Sequence, residues 1–190
     1  MWWNNYFVFY LFYILNVVGD SIAVSFHCDR GWDKFEDKCY RLFPGSRNWH
    51  QARDGCTAHG STLPVVSNRR IQRFIIKQYG HLLGSHGVYL SGNDIKREGS
   101  WEWLDEDEPF SFHTWYKGEP NNDNGDGDCL HIWKTHGYQW NDVACNYPIS
   151  NFLCSKPGRR IQATLSTSCG CMNGNQIFCK IGDISHTRSK

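Results

Sequence analysis

From Lys117 to Asp128 the chain runs through twelve residues whose only apolar member is Pro120. Side chains of that kind cannot form a core element; solvent, a metal or a ligand must hold them. What they offer is oxygen donation. Between Asp94 and Asp142 there are twelve acidic residues and four basic ones, a local balance of −8, so the rest of the chain carries +9 beneath an overall +1. Crowded carboxylates repel one another unless they face solvent or share a cation. No His or Cys pairing accompanies them, and oxygen-only donors suit a hard ion, hence calcium. The EF-hand loop does not fit: started at Asn122, its first position is Asn rather than Asp. Its twelfth falls on Trp133, where a bidentate Glu is required. His131 and His136 have no third partner nearby, which disfavours zinc. No Gly-x-Ser-x-Gly, His-Glu-x-x-His or phosphate loop is present, so a binding protein is expected rather than an enzyme.

A second constellation surrounds the polar loop. Glu119-Pro120-Asn121 is followed by Cys129, then Trp140-Asn141-Asp142, Cys145 and Cys154. Upstream stand Cys56 and Gly99-x-Trp101-x-Trp103-x-Asp105. In this order the motifs resemble the C-type lectin-like domain, in its long form with the Glu-Pro-Asn, mannose-type carbohydrate-recognition motif. The resemblance covers Cys28 to Cys154, about two-thirds of the chain. It implies an α+β fold: two helices, small antiparallel sheets and a long calcium-binding loop, stapled by Cys28–Cys39, Cys56–Cys154 and Cys129–Cys145. Spacing alone leaves fifteen pairings of six cysteines open.

The resemblance also implies a sugar-binding calcium held by Glu119, Asn121, Asn141 and Asp142. Two carboxylates supply charge, and two amides supply carbonyl oxygens while keeping NH₂ donors free. An ion taking about 6–8 oxygens keeps positions open for two neighbouring sugar hydroxyls. A cis bond before Pro120 would aim both flanking side chains at one ion. The Glu-Pro-Asn order is associated with mannose, fucose and GlcNAc-type sugars. A second calcium is implied at Asp94, Glu98, Asn122 and Asp128. One position departs from the family: two residues before Cys129, where Glu is usual, stands Gly127. Asp126 or Asp128 compensates if the loop shifts by one residue; otherwise the site lacks a carboxylate.

These side chains need a frame. Asn48 to His59 places Trp49, Ala52 and Cys56 on one helical stripe, with Gly60 as terminator. A second helix carries Ile71, Phe74 and Ile75, with Ser67 as its expected cap and Gly80 at its end. After Gly87 short β-type runs alternate with loops. Trp101, Trp103 and Trp140 are expected in the core rather than as sugar-stacking platforms, and Val143 either packs inward or touches a sugar face.

Composition sets the outer bounds. A length of 190 residues suits one domain with appendages, and the +1 balance speaks against a nucleic-acid partner. Nine cysteines suggest an oxidising compartment. Tyr6 to Val18 is a thirteen-residue apolar run, too short to span a bilayer but suited to a signal peptide over residues 1–23. The expected product is secreted and extracellular, with no membrane span after cleavage. The domain is expected at residues 24–155, before a cysteine-bearing tail at 156–190. That tail holds Cys169, Cys171 and Cys179, an odd number, which points to a disulfide-linked homo-oligomer.

Overall fold

The computed structural model describes residues 22–104, 108–164, 167–172, 176–181 and 185–186. The expected signal peptide lies almost wholly outside them, as do the side chains of Cys169, Cys171 and Cys179. The chain divides into two compact units, one of them Cys28–Gly158 and the other formed from its two ends. In the end unit, β1 (Ile22–His27) and β12 (Ser185–His186) both pair antiparallel with β9 (Arg159–Thr164), and β10 (Thr167–Met172) pairs with β11 (Gln176–Ile181).

The central unit closes at Gly158 rather than at 155 because the backbone ladder continues that far. Here β3 (Lys38–Arg47) pairs with β8 (Ile149–Pro157) from Lys38↔Pro157 onward, and the Gly158 amide donates to the Asp37 carbonyl. With β2 (Asp33–Phe35) they form a three-stranded sheet. A four-stranded sheet follows in the order β5 (Glu102–Trp103), β4 (Val88–Asn93), β6 (Cys129–Trp133), β7 (Gln139–Val143). All pairings within both sheets are antiparallel.

Two helices pack on this frame. Helix α1 (Trp49–Thr57) starts at Asn48, whose side chain accepts from the Gln51 amide while the Gln51 side chain accepts from the Asn48 amide. This reciprocal box satisfies two orphan donors. The helix buries Trp49, Ala52 and Cys56, as the stripe predicts, but it ends at Ala58 and Gly60 lies two residues beyond. Helix α2 (Arg69–Tyr79) is capped by Asn68 and not by Ser67. The Asn68 carboxamide oxygen reaches the amides of both Arg70 and Ile71, a longer reach than a serine hydroxyl has.

Three disulfides join Cys28–Cys39, Cys56–Cys154 and Cys129–Cys145, the pairs the resemblance implies. The Cys56–Cys154 bridge spans 98 residues and by chain entropy contributes about 4–5 kcal/mol. Trp140 and Trp103 are buried in the main core, and Trp101 packs at its edge against Trp115.

Candidate functional site

The polar loop reaches its place through one buried tryptophan. Trp140 donates its backbone amide to the Thr114 carbonyl and accepts on its own carbonyl from the Tyr116 amide. Its indole Nε1 donates to Gln72 Oε1 at 3.0 Å, and the same Gln72 oxygen accepts from Thr114 Oγ1 at 2.9 Å. Gln72 Nε2 donates to the Tyr138 carbonyl, so one buried glutamine on α2 ties together the start of the loop and the strand β7. Because Asn141 and Asp142 follow Trp140 directly, they sit where the loop arrives with Glu119, Pro120 and Asn121.

The Glu119–Pro120 bond is cis. Asp142 Oδ1 accepts from the Asn121 amide at 3.1 Å and Asp142 Oδ2 from the Asn122 amide at 2.6 Å. Glu119, Asn121, Asn141 and Asp142 line one open cavity of about 330 Å³, with Asp123, Asp126, Trp133, Val143 and Tyr147 also on its wall. Val143 packs against the core, as one of its two expected placements has it, and also lines this cavity. The second group is also assembled. Asp94 is buried at 2% exposure and accepts from the Gly99 amide, its backbone amide donates to the Asp128 carbonyl, and Asn122 Nδ2 donates to Glu98. Asn122 Oδ1 in turn accepts from the Gly127 amide.

Electrostatics here favour a cation. Burial, then the neighbouring Asp142 carboxylate, pushes the Glu119 carboxyl up to about 7. Burial also raises Asp94, helped by Glu98, Asp128 and Asp142. One oxygen of each acid, Glu119 Oε2 and Asp94 Oδ1, is buried without a hydrogen-bond partner. Three buried hydroxyls, of Thr62, Ser91 and Ser155, are also unpartnered, but these two are the only carboxylate oxygens so left among the described residues, and a carboxylate oxygen is what a hard cation would satisfy. Among the described residues, though, no three His, Cys, Asp or Glu side chains gather as a ready metal cluster. The donor set present is half amide. Gly127 sharpens that shortage. A Cβ there would lie 2.5 Å from Asp142 Oδ2 and 3.0 Å from Asn122 Cα, so the glycine is what lets Asp142 lean onto the two loop amides. Asp126 is exposed at the cavity edge.

One residue escaped the motif reading. His131, at 3% exposure, lies opposite Asn141 across the β6–β7 pair. Its Nδ1 is 2.8 Å from the His86 carbonyl and must donate there, so Nε2 is left as acceptor for Asn141 Nδ2 at 3.1 Å. The tautomer follows from this network; with its second hydrogen bond to the Asp142 carbonyl at 2.7 Å, the Asn141 NH₂ is fully engaged and the amide is fixed in place. Burial holds the imidazole neutral and lowers it to about 4. The strand alternation Cys129, His131, Trp133 was the signal available in the sequence.

A disulfide-stapled α+β unit with a polar loop beside a four-stranded sheet is the architecture of C-type lectin-like domains. A profile of the family described as "Lectin C-type domain" matches residues 45–156, and the chain belongs to that family. It is 32% identical over 149 residues to a perlucin-like protein of Mytilus galloprovincialis, covering 76% of this chain and 92% of that one. The cow C-type carbohydrate-recognition domain of CD23, solved in the presence of a GlcNAc2Man3 oligosaccharide, superposes with a TM-score of 0.63 at 26% identity, over 70% of this chain and 98% of that one. A calcium-independent type II antifreeze protein reaches the same TM-score at 22% identity, over 71% and 98%, and shares the fold alone. The family consists of binding modules and not of enzymes. Among the described residues no helix is long and apolar enough to cross a membrane.

Proposed function

We propose that this protein is a secreted lectin that binds mannose, fucose or GlcNAc-type glycans through calcium. The observation that carries the reading is the convergence of Glu119, Asn121, Asn141 and Asp142 on one open cavity, with Glu119 Oε2 buried and unpartnered. These four would hold the ion, with Asp126 able to join from the cavity edge. Asp94, Glu98, Asn122 and Asp128 would hold the second. Calcium supplies a positive centre that two vicinal hydroxyls can ligate. Around it, carboxylates accept from those hydroxyls and the Asn121 NH₂ donates to them, while the Asn141 NH₂ is held by His131 Nε2 and the Asp142 carbonyl and offers only its oxygen. Retention on mannose resin in calcium and release by chelator is the expected result; retention that survives EDTA sinks the mechanism.

Gly127 favours a second reading, a lectin-like module that binds a protein partner or serves an extracellular structural role. With Asp142 satisfied by backbone amides, calcium is not needed to close the loop. Under this reading Asn141→Ala and Asp142→Ala leave partner binding unchanged. We also assign residues 1–23 as a leader and Cys169, Cys171 and Cys179 as the source of a disulfide-linked homo-oligomer. A single monomer band on both reducing and non-reducing gels would refute that oligomer. Linked copies would raise avidity for clustered glycans.

A further inference from the structure

Away from the acidic loop, the outer face of helix α2 carries the opposite charge. Arg69, Arg70, Arg73 and Lys77 are all exposed, and the helix contains no Asp or Glu. Its first turn has no acid, although the positive end of the helix dipole favours one and disfavours Arg69 and Arg70. A locally unfavourable choice of this kind marks a surface shaped by something other than helix stability. Arg70, Arg73 and Lys77 fall on one face and span about 10 Å along the axis.

The same three residues line a shallow groove of about 340 Å³ with Phe35 and Phe74, and among the described residues these five make up its lining. The two phenyl rings stack at 4.5 Å between centroids and 13° between planes. Nearby acids are mostly engaged. Glu36 pairs with Arg70 at 2.9 Å, and Asp33 accepts from the Tyr79 hydroxyl at 2.7 Å; Asp37 is exposed on the turn beyond. Among the described residues Arg73 and Lys77 lie within ion-pair distance of no acid.

We propose that this groove is a second, calcium-independent binding site, for a sulfated polysaccharide. The Arg73 guanidinium, unpaired among the described residues, takes sulfate oxygens in two-pronged hydrogen bonds, Lys77 adds a point charge, and Arg70, paired with Glu36, borders the groove. The apolar surface that the stacked Phe35 and Phe74 add to the lining suits the apolar face of a sugar ring, which an acidic peptide or a nucleic-acid backbone does not present. Charge complementarity and that mixed lining select the occupant. The site does not depend on the proposed calcium chemistry, because no calcium-loop residue takes part.

Full-length protein on immobilised heparin in EDTA tests it. The wild type is retained and elutes with salt, since paired charges are screened. Arg73→Glu/Lys77→Glu should lose retention while keeping its melting temperature. Arg159→Glu/Arg160→Glu, the same charge change at exposed positions of the end unit, should keep most of it. Phe35→Ala should weaken heparin capture while leaving capture by polyaspartate unchanged. Unaltered retention of the α2 variant overturns the proposal, as does equal loss in both charge reversals. Competition by duplex DNA as strong as by heparin transfers the groove to nucleic acid and overturns the sugar assignment.

Discussion

The loop from Lys117 to Asp128 and the helix from Arg69 to Tyr79 carry opposite charge and reach it by opposite routes. In the helix, cations are placed by periodicity: Arg70, Arg73 and Lys77 share a face because 3.6 residues make a turn. In the loop, no periodicity relates Glu119 to Asp142. They meet because Trp140 is held by Gln72 and Thr114, and because backbone amides of Asn121 and Asn122 reach the Asp142 carboxylate. The difference teaches that the loop's chemistry depends on core packing, whereas the helix face survives any change that leaves the helix standing.

The strongest way to break that contrast is at its hinge. Trp140→Ala should cost about 3–5 kcal/mol in urea unfolding and abolish calcium-dependent sugar retention while the helix face stays intact. A variant that folds normally and still binds sugar would show that the loop is not anchored there. Gln72→Leu should cost about 1–3 kcal/mol, since the Trp140 indole and the Tyr138 carbonyl lose their buried partner. Its sugar affinity should fall as well, which calorimetry at saturating calcium can read.

Gly127→Glu sharpens the comparison from the loop side. The new Cβ displaces the Asp142 carboxylate, so in EDTA the variant should be less stable by about 1–3 kcal/mol. In calcium the added carboxylate should raise ion affinity, and the melting temperature should overtake that of the wild type. A variant less stable in both conditions would mean that the loop cannot reopen toward an ion. The smallest effect is expected on the helix face, where Arg73→Glu/Lys77→Glu should stay within about 0.5 kcal/mol of wild type in stability.

Much of the frame was legible. The stripe of Trp49, Ala52 and Cys56 marks α1, and the spacing of Ile71 and Ile75 marks α2. Helix boundaries were read less well: Asn68 outcompetes Ser67 as a cap because its longer side chain serves two amides. Of the site, the motif residues Glu119, Asn121, Asn141 and Asp142 stood out by type. His131 did not. Its part in orienting Asn141 is set by a cross-strand register and by a carbonyl 45 residues away.

By itself the sequence determined the family, the donor types at the loop and the missing carboxylate at position 127. These follow from residue identity and local spacing. The tertiary structure decided the rest: Asp142 leans into the space a glycine leaves, Glu119 and Asp94 each keep a buried oxygen unpaired, and Phe35 and Phe74 from separate elements line a groove together with cations. Each of those depends on which atoms are left without partners once the backbone is in place, and that is set by contacts between segments far apart in the chain.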